Sequence, residues 1–163
     1  FIETIPQARN TLSAFIEDIE DEPENRNELF YSASRMSEAN RSRAQYLFSS
    51  NQYELPDRLR PPCHRNKAHT YSSVYGRLKP HAMAQTITSG FGSMGQGRYL
   101  HPNRLRTLTA HEASRIQGFP DFFDFSNAKS FRHLRTMIAN AVPPQLSAVV
   151  VRDWIRKGIL TRA

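Results

Sequence analysis

Apolar and polar positions alternate along the chain in a way that predicts short helices separated by long irregular stretches. Leu12, Phe15, Ile16 and Ile19 recur at the spacing of one helix face, which predicts a helix over 8–20 capped by Asn10 or Thr11. The acidic stretch Asp18 to Glu24, broken by Pro23, reads as a solvated loop that ends it. Residues 28–48 are expected to be helical in part, because Ser37 to Phe48 holds good helix formers and neither Gly nor Pro. Pro56, Pro61 and Pro62 exclude long regular elements from 49–70. Thr70 to Val74, Gln85 to Ser89 and Arg98 to Leu100 are the strand candidates. Thr109-Ala110-His111-Glu112 is a capping box that predicts a helix over 110–117, stopped by Gly118 and Pro120. A short helix is expected over 131–139. A last one follows Pro143-Pro144, with Leu146, Val149, Val150 and Trp154 on one face and Gly158 as its stop. Strand candidates in the middle and helices at the ends predict an α+β chain.

Composition narrows the picture. The 163 residues suffice for one ordinary domain, 39% are hydrophobic, and the mean hydropathy is −0.60. No apolar run approaches the roughly 18–20 residues of a membrane span, so no membrane partner is expected. The start at Phe1 is neither a signal peptide nor an initiator Met, and is read as the beginning of a piece of a longer chain. A single cysteine excludes an internal disulfide framework.

Charge divides the chain. Residues 1–28 hold eight acids and two bases, a net −6, while the remainder holds 20 bases and seven acids, a net +13. Eighteen of the 22 bases are arginine, whose planar fork suits phosphate and guanine edges. Such a basic body favours a polyanionic partner.

The candidate chemistry is mostly that of binding. Cys63 lies beside His64, with Arg60 and Arg65 close by, a setting that could lower a thiol pKa; the plainer reading is a packed loop residue. With His64 and His69 it falls short of the ligands a structural metal needs, and no metal is expected. There is no phosphate-cradling loop and no dinucleotide fingerprint. Gly90 to Gly97 contains four of the seven glycines and is either a flexible loop or one whose backbone approaches a ligand. Thr86, Thr88 and Ser89 offer hydroxyls, Gly90, Gly92 and Gly95 allow close backbone approach around Phe91, and Arg77, Arg98, Arg104 and Arg106 bracket the segment. This mixture suits groove recognition of DNA. The competing reading is that the threonines only favour a strand and the arginines only solvate it.

Ordered blocks then point to a family. Tyr75-Gly76-Arg77-Leu78-Lys79-Pro80 and Gln85-Thr86-Ile87-Thr88 are followed by Gly97-Arg98-Tyr99-Leu100-His101-Pro102. Next come Arg106-Thr107-Leu108-Thr109, Glu112-Ala113, Arg115-Ile116-Gln117-Gly118-Phe119-Pro120-Asp121 and Ala139-Asn140-Ala141-Val142-Pro143-Pro144. Together with Arg35-Met36-Ser37-Glu38 these resemble the C-terminal part of bacterial DNA (cytosine-5)-methyltransferases: the target-recognition region and conserved blocks nine and ten. Ala139 stands where the tenth block usually has glycine. The family's cofactor loop, Pro-Cys-Gln nucleophile loop, Glu-Asn-Val acid and Gln-x-Arg-x-Arg block are absent. Cys63 is followed by His64 and is out of order for the nucleophile.

The resemblance implies the following expectations. The chain is a fragment or the small subunit of a split enzyme that transfers methyl from S-adenosylmethionine to C5 of a cytosine turned out of duplex DNA. No catalytic residue lies in this chain, and alone it is inactive. Residues 1–28 form an acidic leader, 29–108 a target-recognition region of irregular mixed strands, and 109–163 helices from the edge of an α/β methyltransferase domain. Arg77, Thr86, Thr88, Ser89, Gly90, Phe91, Gly92, Arg98 and Arg106 bind double-stranded DNA, with Thr86 on a phosphate and the 88–92 turn facing bases. Asn140, Ala141 and Val142 close over the cofactor's amino-acid end. Glu112 and Arg115 hold the recognition region to the catalytic domain. The partner is the missing N-terminal catalytic portion, the exposed apolar face of the last helix invites a homo-oligomer, and the setting is the bacterial cytoplasm at the nucleoid. A stand-alone nucleic-acid-binding module is the alternative.

Overall fold

The computed structural model describes residues 11–19, 28–66 and 73–160. Among these residues six α-helices follow one another: α1 (Ser13–Ile16), α2 (Glu28–Tyr31), α3 (Glu38–Ser49), α4 (Ala110–Ile116), α5 (Phe131–Asn140) and α6 (Pro144–Arg156). Single 3-10 turns at Asp57–Leu59, Pro62–His64 and Met94–Gln96 punctuate the long middle.

Most of the helix boundaries follow from local chemistry. Ser37 caps α3 by accepting from the Asn40 amide at 3.4 Å, and Ser130 caps α5 by accepting from the His133 amide at 3.1 Å. The capping box forms as expected: Thr109 Oγ1 accepts from Glu112 N, and Glu112 Oε2 accepts from Thr109 N. Gly118, at φ +85°, ends α4 in the left-handed region that glycine occupies without strain. Helix α1 is capped differently. It spans four residues, and its first amides reach across the chain, Leu12 N to Ala82 O at 2.9 Å and Ser13 N to Pro80 O at 3.0 Å. Residues 8–10 and 20 of the expected first helix, Asn10 included, lie outside the described residues, as does most of the acidic run.

The α+β expectation is corrected. Among the described residues there is no strand and no sheet, only the isolated bridges Ala33–Thr109, Arg77–Leu100 and Leu100–Thr107. The reason is visible in the hydrogen bonds. In Gln85–Ser89 the Thr88 amide and the Thr86 carbonyl both go to one side chain, the Tyr99 hydroxyl, so no neighbouring backbone is recruited into a ladder. Arg98–Leu100 pairs for a bridge length only: Leu78 N reaches Leu100 O at 2.9 Å, and Leu108 N reaches Tyr99 O at 3.0 Å. Ser73 to Tyr75 form a turn, and Thr70 to Ser72 lie outside the described residues.

Two apolar clusters hold these pieces. The larger gathers Leu12, Phe30, Leu78, Phe91, Leu108 and Leu134, among others, from all three expected segments. The smaller packs Ala44 and Leu47 of α3 against Leu55, Tyr75, Met94 and Leu100. Helix α6 joins neither: none of its residues is buried, and Leu146, Val150, Val151 and Trp154 are exposed.

Candidate nucleic-acid interface

Thr86 and Thr88 come together along a cleft of roughly 630 Å³, with Gln85, Gln96, Gly97, Tyr99, Ser73 and Ala84 as the other lining residues. Thr86, Thr88 and Ser89 are exposed. Tyr99 is only 3% exposed, and its hydroxyl lies 2.9 Å from Thr88 Oγ1 and 3.0 Å from the Thr86 carbonyl. The other expected members turn inward. Phe91 is a fully buried core residue. Gly90 is packed beside Gln96, and Gly92 beside Ser34, Phe131 and Arg135.

The bracketing arginines are internal ties. Arg77 donates from Nε to the Pro102 carbonyl at 2.7 Å, and its guanidinium lies 4.3 Å from the Phe48 ring centroid and 5.0 Å from that of Tyr53. Arg98 donates to the Tyr53 and Arg77 carbonyls at 2.7 and 3.1 Å, and to Glu54 at 2.9 Å. Arg106 grips Glu112 with both ends of its fork, at 2.7 and 2.8 Å. The bases that do face solvent include Arg35, Arg41, Arg58, Arg65 and Lys79, none of which the sequence singled out as a contact. Gln85 and Gln96 were likewise missed; their only sequence signal is that they flank the hydroxyl-rich and glycine-rich runs.

Glu112 is the centre of the buried electrostatics. Its side chain is fully buried, and it meets Arg106 bidentately, Arg104 at 3.5 Å and His101 Nε2 at 3.3 Å. His101 Nδ1 accepts from the amides of Asn103 and Arg104, both at 3.0 Å, so the ring proton sits on Nε2 and points at Glu112. Burial by itself would raise the Glu112 carboxyl. The bidentate hydrogen bonds and charge of Arg106, with His101 close beside the carboxylate, outweigh burial and hold it far below the usual carboxylate range. Arg104 also donates to the Ile19 carbonyl at 2.7 Å, and Arg115 pairs with Asp18 at 2.9 Å. The residues just after α1 are thereby tied to Arg104 and α4, and the Arg115 hydrogen bond holds the Asp18 carboxyl below its ordinary value.

At the other end, Asn140 and Val142 are exposed and Ala141 is half-buried, at the joint between α5 and α6. The Gln117 side chain clasps this joint, donating to the carbonyls of Ile138 and Ala141, both at 3.2 Å. Cys63 is exposed in the 3-10 turn Pro62–His64. Among the described residues no three His, Cys, Asp or Glu side chains gather as a metal site, and no helix is long and apolar enough to cross a membrane.

Comparison with known proteins gives these blocks a setting. The family model described as C-5 cytosine-specific DNA methylase matches residues 2–156. The chain belongs to the C-5 cytosine-specific DNA methylase family. Among relatives of this methylase chain, the Type II methyltransferase M1.BsuMI of Bacillus subtilis (strain 168) is 49% identical over 129 residues, 79% of this chain and 30% of the relative. The Type II methylase M.HgiDII of Herpetosiphon aurantiacus is 32% identical over 127 residues, 76% of this chain and 36% of the relative. The DNA (cytosine-5)-methyltransferase PliMCI of Paracentrotus lividus is 36% identical over 86 residues, covering 52% of this chain and 5% of the relative. The methylase chain thus spans about a third of the length of its two bacterial relatives.

Proposed function

We propose that this chain is the DNA-docking and cofactor-closing part of a bacterial DNA cytosine-5 methyltransferase, acting in the cytoplasm at the nucleoid. The observation that carries the reading is the cleft beside the 85–90 segment: hydroxyl and carboxamide side chains on an exposed rim, in the region that the family resemblance assigns to target recognition. Hydroxyls and amides of this kind suit phosphate oxygens and base edges in a groove. In this reading Thr86 takes a phosphate, Ser89 and the glutamines face bases, and exposed bases such as Lys79 and Arg58 supply the salt-dependent attraction to duplex. Arg77, Arg98 and Arg106 serve DNA indirectly, by holding the scaffold.

Residues 1–28, 29–108 and 109–163 act as functional segments and share one apolar core. S-adenosylmethionine, when bound in the complete enzyme, supplies the methyl group that ends on C5 of a cytosine turned out of the duplex. The residues here fit one end of such a cofactor and no more: the exposed Asn140 carboxamide and the main chain of Ala141 and Val142, steadied by Gln117. The nucleophile and the acid come from the missing N-terminal portion, since Cys63 lies on an exposed turn without the sequence of a nucleophile loop. The bare face of α6 is where that portion, or a second copy, would pack.

The test is methyl transfer from labelled S-adenosylmethionine to duplex DNA. The chain joined to its N-terminal portion should methylate cytosine C5, and this chain alone should not. Transfer by this chain alone, or methylation by the complete enzyme that is indifferent to Thr86→Ala, would overturn the reading.

A further inference from the structure

We infer that Tyr99 is a positioning residue for target specificity, which fixes the shape of the 86–90 rim without touching DNA. The inference rests on the reading of the cleft as a DNA-docking site. It begins with the protons. A tyrosine hydroxyl has one hydrogen to give. The acceptor-only partner within reach is the Thr86 carbonyl at 3.0 Å, so Tyr99 donates there. The Thr88 amide, at 3.2 Å, can only donate, so the Tyr99 oxygen accepts from it. The contact between the two hydroxyls at 2.9 Å then has one direction left: Thr88 Oγ1–H donates to Tyr99. Thr88 Oγ1 in turn accepts from the Gly90 amide at 3.3 Å.

One buried oxygen therefore orients Thr86, Thr88 and, through Thr88, Gly90. These bonds stand where the segment lacks a strand ladder; the backbone itself adds only the local turns Phe91 N to Thr88 O at 3.0 Å and Ser93 N to Gly90 O at 2.8 Å among the described residues. The Thr88 hydroxyl proton is committed inward, so of the two threonines it is Thr86 whose hydroxyl proton remains for a nucleic acid. The ring can lie here because residue 97 is glycine: a Cβ at that position would sit 2.6 Å from Tyr99 Cε2. A rim held this way is rigid where base edges are read, and rigid placement of reading groups is what separates cognate from near-cognate sites.

The test uses the complete enzyme carrying Tyr99→Phe, and Thr88→Val as a second variant at an exposed position where folding is not at stake. Two quantities are measured: hydrogen exchange of the Thr88 and Gly90 amides, and methylation of the cognate site against sites with one base pair changed. Tyr99→Phe should speed exchange at both amides roughly tenfold and lower discrimination between sites by a similar factor, with KM for DNA rising more than kcat falls. Thr88→Val should loosen Gly90 in the same way, and Thr88→Ser should restore it. Unchanged exchange, or faster exchange with unchanged discrimination, overturns the inference. Methylation indifferent to Thr86→Ala overturns the reading of the cleft instead, and the exchange of Thr88 and Gly90 still judges the relay.

Discussion

Helices α4 and α6 carry similar instructions and meet opposite fates. Both have clear stop signals and apolar positions to cover. In α4 every residue from Ala110 to Ser114 is buried, including a charged one, whereas in α6 none is. The difference lies in what each finds nearby. Helix α4 is reached by α1, α2 and α5 and by the side chains of Arg104, Arg106 and His101, which converge on Glu112. Helix α6 lies beyond the joint that Gln117 clasps, and its stripe has no counterpart within the described residues. Amphipathicity states that a helix has a face to cover; it does not state where the cover comes from.

The comparison can be broken most directly at Glu112. Glu112→Ala leaves Arg106, Arg104 and His101 facing one another without their carboxylate, and should cost about 3–5 kcal/mol in urea unfolding. A loss under 1 kcal/mol would mean that the hub is not what secures α4. Because the folded carboxyl is held below its ordinary value of 4.5, Glu112 stabilises the fold above that pH. That stability should drain away as pH falls below 4.5, and Glu112→Gln should flatten the acid limb of a stability–pH curve.

Next in size, Leu134→Ala empties a site in α5 that is 1% exposed, and should cost about 2–5 kcal/mol by the same unfolding measurement. Gln117→Ala removes two hydrogen bonds to the α5–α6 joint and should cost about 1–2 kcal/mol, with faster hydrogen exchange at the start of α6 but not in α4. The smallest effect is expected on the bare stripe. Leu146→Gln and Val151→Gln should change the stability of this chain by less than about 0.5 kcal/mol. A cost comparable to that of Leu134→Ala would show that α6 is packed after all, and would erase the contrast.

What was legible in the sequence was local. The capping box at Thr109–Glu112, the stop at Gly118, the α5 helix and the α6 helix depend on residues within four or five positions of one another. What was not legible was long-range. Arg77 and Arg98 looked like DNA contacts because arginine beside hydroxyls and glycines is the composition of such a surface. Their internal bonds could not be read from that composition: the Pro102 carbonyl, 25 residues on, and the Tyr53 carbonyl, 45 residues back, arrive within reach of their guanidinium groups. Gln85–Ser89 looked like a strand because its residues suit one; a single side chain, that of Tyr99, answers its backbone first.

The sequence alone therefore determined the locally capped helix ends, those of α4 above all, and the family, since such caps and ordered blocks are written in neighbouring residues. Tertiary structure decided which charges are internal, which hydroxyl is tied up by a neighbour, and which apolar face stays open among the described residues. Those outcomes depend on the arrival of partners from distant parts of the chain, and burial then makes each pairing strong or its absence costly.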